Sequence, residues 1–92
     1  SMRFIQDAPI YQSKKVYVYI NQCHNPHKKT KLFAIRRDDK TGRSALLGLI
    51  KFDGAWRQYV FEPEPNTKWC AMCQEGIASF MRVQTNKWRK SL

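Results

Sequence analysis

The chain is short of acid: seven Asp and Glu stand against seventeen Lys and Arg in 92 residues, a formal net charge of +10 at pH 7. It is also short of long apolar runs. The longest, Ala45 to Ile50, is interrupted by Gly48 and falls far below the roughly 18–20 residues of a membrane span. The first residues lack the charged, apolar and small-residue order of a secretory signal. Three cysteines are too few and odd in number for a disulfide framework, which points to a reducing cytoplasm. With four glycines there is no Gly-rich phosphate loop and no Gly-x-Ser-x-Gly elbow, and a His-Glu-x-x-His pair is missing too. No internal repeat is visible. What remains is one small domain spanning residues 1–92. Its hydrophobic content of 42% is too high for a disordered tail.

The patterning predicts strands first. Lys15 to Asn21 is crowded with β-branched and aromatic residues, placing Val16, Val18 and Ile20 on one face and Tyr17 and Tyr19 on the other. Gln22 to Thr30 reads as a polar loop, and Lys31 to Arg37 as a second strand around Leu32-Phe33-Ala34-Ile35. Asp38 to Ser44 is a turn. Ala45 to Phe61 holds two apolar runs around Asp53-Gly54, a hairpin signal for a loop of two or three residues. Pro63 and Pro65 stop the last strand. Asn66 or Thr67 is then expected to cap a helix whose stripe is Trp69, Met72, Cys73, Ile77, Phe80 and Met81, with Gly76 allowing close approach to the sheet. The helix is expected to end near Gln84 to Asn86, leaving residues 87–92 as a basic tail or last turn. The order β-β-β-β-α predicts an α+β fold: a small antiparallel sheet of three to four strands packed on one C-terminal amphipathic helix, with the other sheet face open.

Charge is concentrated. Residues 1–51 hold eleven Lys and Arg against three Asp and Glu, whereas residues 52–92 hold six against four. Lys28, Lys29 and Lys31 precede the second strand, and Arg36, Arg37 and Arg43 surround the next turn. Lys51, Trp56, Arg57 and Gln58 cluster near Asp53-Gly54, and Lys87, Arg89 and Lys90 close the chain. Cations neutralise phosphates and release counterions. Arg and Gln reach base edges, and exposed aromatics stack on unpaired bases. These residues are therefore expected to contact DNA or RNA, the loops through phosphates and the hairpin through bases.

A second constellation concerns thiols and imidazoles. Cys23 and His27 in the loop, with Cys70-Ala71-Met72-Cys73 at the helix start, have the residue types of a tetrahedral zinc site. The 47 residues from Cys23 to Cys70 exceed the usual finger spacing, so Cys23, His27, Cys70 and Cys73 are a candidate set, and zinc is a candidate cofactor rather than a required one. The alternative is that Cys73 serves the core as a small hydrophobe. A helix N-terminus also lowers a thiol's pKa, but the βαβ context of thioredoxin-like domains is missing. Glu62 and Glu64 flank a proline without a nearby histidine, and Ser13, Ser44 and Ser79 have no base beside them in sequence. The sequence offers no convergent acid, base and nucleophile, and an enzyme is not expected.

The segment Gly48-Leu49-Ile50-Lys51-Phe52, then Trp56-Arg57-Gln58-Tyr59, Pro63 and a helix with Cys73, Ile77 and Phe80, resembles a pattern in small uncharacterised proteins of bacteriophages and mobile elements. The resemblance covers residues 46–83. It implies a phage origin and hence the host cytoplasm, and it supplies no activity. Two functions from different classes follow as expectations. One is a small basic DNA- or RNA-binding protein. The other is a phage-encoded interaction module that binds an acidic surface of a host enzyme, a polymerase or defence nuclease, and inhibits it. Neither involves a membrane.

Overall fold

The computed structural model describes residues 8–26 and 28–92. Five strands, β1 (Ala8–Gln12), β2 (Val16–Cys23), β3 (Leu32–Asp39), β4 (Ser44–Asp53) and β5 (Gln58–Pro63), precede one helix, α1 (Ala71–Lys90). The strands form an antiparallel meander in sequence order, so the fold is α+β with one strand more than expected. The additional strand is β1, whose Pro9 removes a donor and whose five residues do not alternate. It pairs with β2 across an irregularity between Pro9 and Tyr11. A proline is tolerated there because β1 is an edge. No helix among the described residues is long and apolar enough to cross a membrane.

Alternation in β2 sorts its side chains as the sequence predicts. Val18 and Ile20 are buried, while Tyr17 and Tyr19 stack on each other on the outer face with centroids 5.2 Å apart. Ile20 lies opposite Ile35, and Phe33 opposite Ile50, so three central strands contribute to one apolar layer. The helix covers that layer and touches both edge strands, β1 and β5, so the sheet curls around it. Two features allow this approach. A Cβ on Gly76 would lie 3.0 Å from Ile10 Cγ2, so glycine brings the helix against β1. At β5 the backbone N–H of Tyr59 donates to Thr85 Oγ1 (3.0 Å), which satisfies a donor on the sheet edge.

Four local expectations are corrected. The hairpin loop has four residues, 54–57, rather than two or three, with Asp53 opposite Gln58 and Phe52 opposite Tyr59. Asp53 causes this: its Oδ1 accepts from the N–H groups of Ala55 (2.9 Å) and Trp56 (3.0 Å), and the loop closes with Arg57, not Gly54, at positive φ (55°). The helix cap is Cys70 rather than Asn66 or Thr67. Asn66 takes φ 62° in the preceding turn, and the hydroxyl of Thr67 is engaged with Glu64 O and Trp69 Nε1. Finally, the helix runs to Lys90, so Lys87, Arg89 and Lys90 form its last turn rather than a tail. Their charges oppose the negative end of the helix dipole. Met72, expected in the stripe, is 58% exposed, whereas Gln84 and Thr85 are buried and carry the stripe on to Trp88.

Two substitutions test this packing. An alanine Cβ at Gly48 would lie 2.9 Å from the Glu62 carbonyl oxygen and 2.8 Å from Phe61 Cε1. Gly48→Ala is expected to destabilise by about 1–3 kcal/mol through overpacking. Thr85→Val keeps the shape but strands the Tyr59 N–H, again at about 1–3 kcal/mol. In thermal unfolding each kilocalorie lowers Tm by about 4–8 °C for a domain of this size. An unchanged Tm for Thr85→Val would show that the strand edge does not rely on this bond.

Candidate nucleic-acid interface

The basic residues of the sequence are distributed over both ends and the outer face of the sheet. At one end the β2–β3 loop, the β4–β5 hairpin and the last turn of α1 converge. The loop is held internally by Asn25 Nδ2, which donates to Thr30 O (2.9 Å). It is tied to the sheet by the Lys31 backbone N–H, which donates to Tyr59 Oη (3.0 Å). Tyr59 thus joins the loop to β5, and through Thr85 to the helix. Its ring also packs edge-on to Phe33 and Phe52, with centroids 6.1 and 5.5 Å apart. These bonds bring Lys29, Lys31 and Lys87 around one hollow of about 240 Å³ beside Trp88. On the other side of the helix, Gln58 and Arg89 line a shared groove of about 410 Å³.

Trp88 organises the hairpin side. Its ring packs on Phe52 at 4.5 Å and receives the Arg57 guanidinium at 5.1 Å from its centroid. Trp56, at the tip of the same loop, is 69% exposed. Lys28 and Lys90 adjoin these groups in sequence and are exposed. The cluster therefore joins Lys28, Lys29 and Lys31 with Arg57, Lys87, Arg89 and Lys90, although the two sets are far apart in sequence. Asp53 is the single acidic residue of these three segments, and its carboxylate is engaged in the hairpin turn.

The remaining candidates lie elsewhere. Arg36 lines a polar hollow on the outer sheet face, where Tyr19 Oη donates to Asp38 Oδ1 (3.2 Å). Arg37 lines a groove beside the helix start. The backbone N–H of Arg43 donates to Asp39 Oδ1 (3.0 Å) in the β3–β4 turn, at the end opposite the loop cluster. A hydrogen bond from the Thr41 hydroxyl is the largest influence holding the Asp39 carboxyl below its ordinary pKa. Lys51, grouped with the hairpin by sequence, faces outward and pairs with Glu62 at 3.1 Å, both side chains about half exposed. An ion pair of this kind contributes little stability. Trp88 was not among the sequence candidates. Its position four residues after Gln84 signals it only once the helix is known to continue.

Cys23 is not brought to Cys70 and Cys73. Cys23 ends β2, whereas Val16, at the start of β2, lines the groove shared by Cys70 and Cys73. Val18 lines it too, and at about 3.3 Å per residue the strand carries Cys23 about 17 Å beyond that residue. Among the described residues no group of three His, Cys, Asp or Glu gathers to hold a metal, and His27 lies outside the described residues. Cys70 and Cys73 form a pair of their own. The Cys73 backbone N–H donates to Cys70 Sγ (3.4 Å), and the two sulfurs lie 3.3 Å apart. That N–H, followed by the Cys73 thiol, holds Cys70 below the ordinary thiol pKa. Burial, followed by the neighbouring Cys70 sulfur, pushes Cys73 up to about 11.

No family model, curated protein or solved structure matches the chain.

Because the thiolate is the reacting form, alkylation of the folded protein should separate the pair. Cys70 is expected to be modified with a midpoint below pH 9.0, and Cys73 only as pH nears about 11. Peptide mapping after short iodoacetamide pulses reads both. Equal reaction of the two thiols at neutral pH would contradict the assignment.

Proposed function

We propose that this protein binds nucleic acid through the end built from the β2–β3 loop, the β4–β5 hairpin and the last turn of α1. The observation that carries this reading is the convergence of cations from three separate segments around Trp88, with Trp56 exposed at the rim. Phosphates neutralised by Lys29, Lys31 and Lys87 supply affinity without sequence information. Trp56 offers a ring on which an unpaired base stacks, at about 1–3 kcal/mol per base. The preferred ligand is therefore a single strand of DNA or RNA, or an unpaired segment of either. Arg57 is held over Trp88 and adds a further cation to the same end. In this reading Arg36, Arg37 and Arg43 at the other locations contribute only to the general field, and Lys51 is occupied by Glu62.

Fluorescence anisotropy with a labelled oligonucleotide across a salt series tests it. The log–log slope is expected to scale as about 0.7 per phosphate contact for a single strand. The double variant Lys29→Glu/Lys87→Glu should lose at least about tenfold in affinity and flatten that slope by about 1.4. Lys14→Glu/Lys15→Glu, in the exposed β1–β2 turn at the opposite end, should bind nearly as the parent does. Trp56→Ala should weaken the single strand more than a duplex. Absence of binding at low salt, or equal loss from both double variants, would overturn the proposal. Tight binding to poly-glutamate with none to oligonucleotides would favour an acidic protein surface instead.

A further inference from the structure

The groove beside the helix start plays no part in the basic end. It has a volume of about 750 Å³ and is walled by Tyr11, Leu46 and Trp69, with Cys70 and Cys73 at its border. Arg37 and Lys68 are its charged lining residues, and none of its lining residues is acidic. Cys70 is exposed to this groove, whereas Cys73 is buried at 6% exposure behind it. Their sulfurs are 3.3 Å apart because the extended backbone of the cap residue (φ −81°, ψ 165°) turns Cys70 Sγ over the first helical turn. One thiol is thus presented to solvent and the second stands directly behind it. Cys23, at the far end of β2, is too distant to take part.

We propose that Cys70 and Cys73 form a reversible dithiol–disulfide couple that exchanges with an anionic low-molecular-weight disulfide received in this groove. Cys70 as thiolate attacks one sulfur of R–S–S–R. The Cys70–S–S–R bond forms as R–S⁻ leaves. Cys73 then gives up its proton to solvent, and its sulfur attacks Cys70 Sγ, expelling the second R–S⁻. Two protein thiols are oxidised to one disulfide, one small disulfide is reduced to two thiols, and the two protons lost by the protein thiols match those the leaving thiolates take up at neutral pH. The pKa order of the two sulfurs suits these roles, since the exposed one is the better nucleophile near neutrality and the buried one waits as a thiol. Arg37 and Lys68 favour carboxylate-bearing R groups by charge. A serine at position 70 would cap the helix as well as a thiol does, so capping alone does not require sulfur there.

The full-length chain is incubated with glutathione buffers of graded oxidation, quenched by alkylation and mapped by peptide mass. The expected product is an internal Cys70–Cys73 bridge, with Cys23 still alkylated. In Cys73→Ser the reaction should halt with one glutathione on Cys70. In Cys70→Ser, which keeps a hydroxyl cap, neither a bridge nor an adduct on Cys73 should form. Oxidised glutathione should react about tenfold faster than cystamine at low salt, where steering is strongest, and Arg37→Gln should narrow the gap. Far-UV circular dichroism checks that each variant is folded. The proposal is overturned if folded protein keeps Cys70 alkylatable in excess oxidised glutathione, if the first adduct falls on Cys73 or Cys23, or if cystamine reacts as fast as glutathione.

Discussion

The hydrogen bond from the Tyr59 N–H to Thr85 Oγ1 fixes how the two layers of this protein meet. It closes the exposed edge of β5 against the helix, where an unpaired row of donors would otherwise face solvent. The same residue accepts from the Lys31 N–H and packs its ring between Phe33 and Phe52. One buried tyrosine therefore sets the helix position, the sheet curl and the path of the β2–β3 loop. Gly76 against Ile10 does the corresponding work at the other edge. A helix seated between both edges of a curled sheet buries more apolar surface than one laid on a flat face, which matters in a chain with so small a core.

The consequence for chemistry is a division by ends. The loop and hairpin end carries cations on backbone that Tyr59 and Trp88 hold in place. The helix-start end carries the two sulfurs and the groove. The outer sheet face, expected to be open, bears stacked Tyr17 and Tyr19, the Tyr19–Asp38 hydrogen bond and the Lys51–Glu62 pair. The Lys51–Glu62 pair offsets one cation of this face locally.

Much of the fold was legible in residue order. β2, β3 and the hairpin strands show the alternation or apolar runs of half-buried strands, and Cys73, Ile77, Phe80 and Met81 recur at helical spacing. β1 was not legible, because Pro9 and an irregular pattern hide a strand that exists by pairing with β2. The end of the helix was misplaced because Gln84 and Thr85 are polar and look like a solvent face. Only the Tyr59 N–H on β5 shows why Thr85 is buried. Asp53-Gly54 suggested a tight turn. The aspartate carboxylate, by accepting two backbone donors, selected a longer one.

By itself the sequence determined the fold class, the presence of one amphipathic helix and the excess of positive charge, because each depends on composition or on short-range periodicity. It described that charge as a property of the first half of the chain. Tertiary structure decided otherwise: Lys29 and Lys31 stand beside Lys87, and Arg57 lies on Trp88, while Arg43 from the same half is at the opposite end. It also separated Cys23 from Cys70 and Cys73, while bringing the last two together as a pair. Both outcomes follow from the length of the strands. A strand of eight residues carries its two ends about 23 Å apart, so which residues meet depends on which end of the sheet each connection occupies, and spacing along the chain does not encode that.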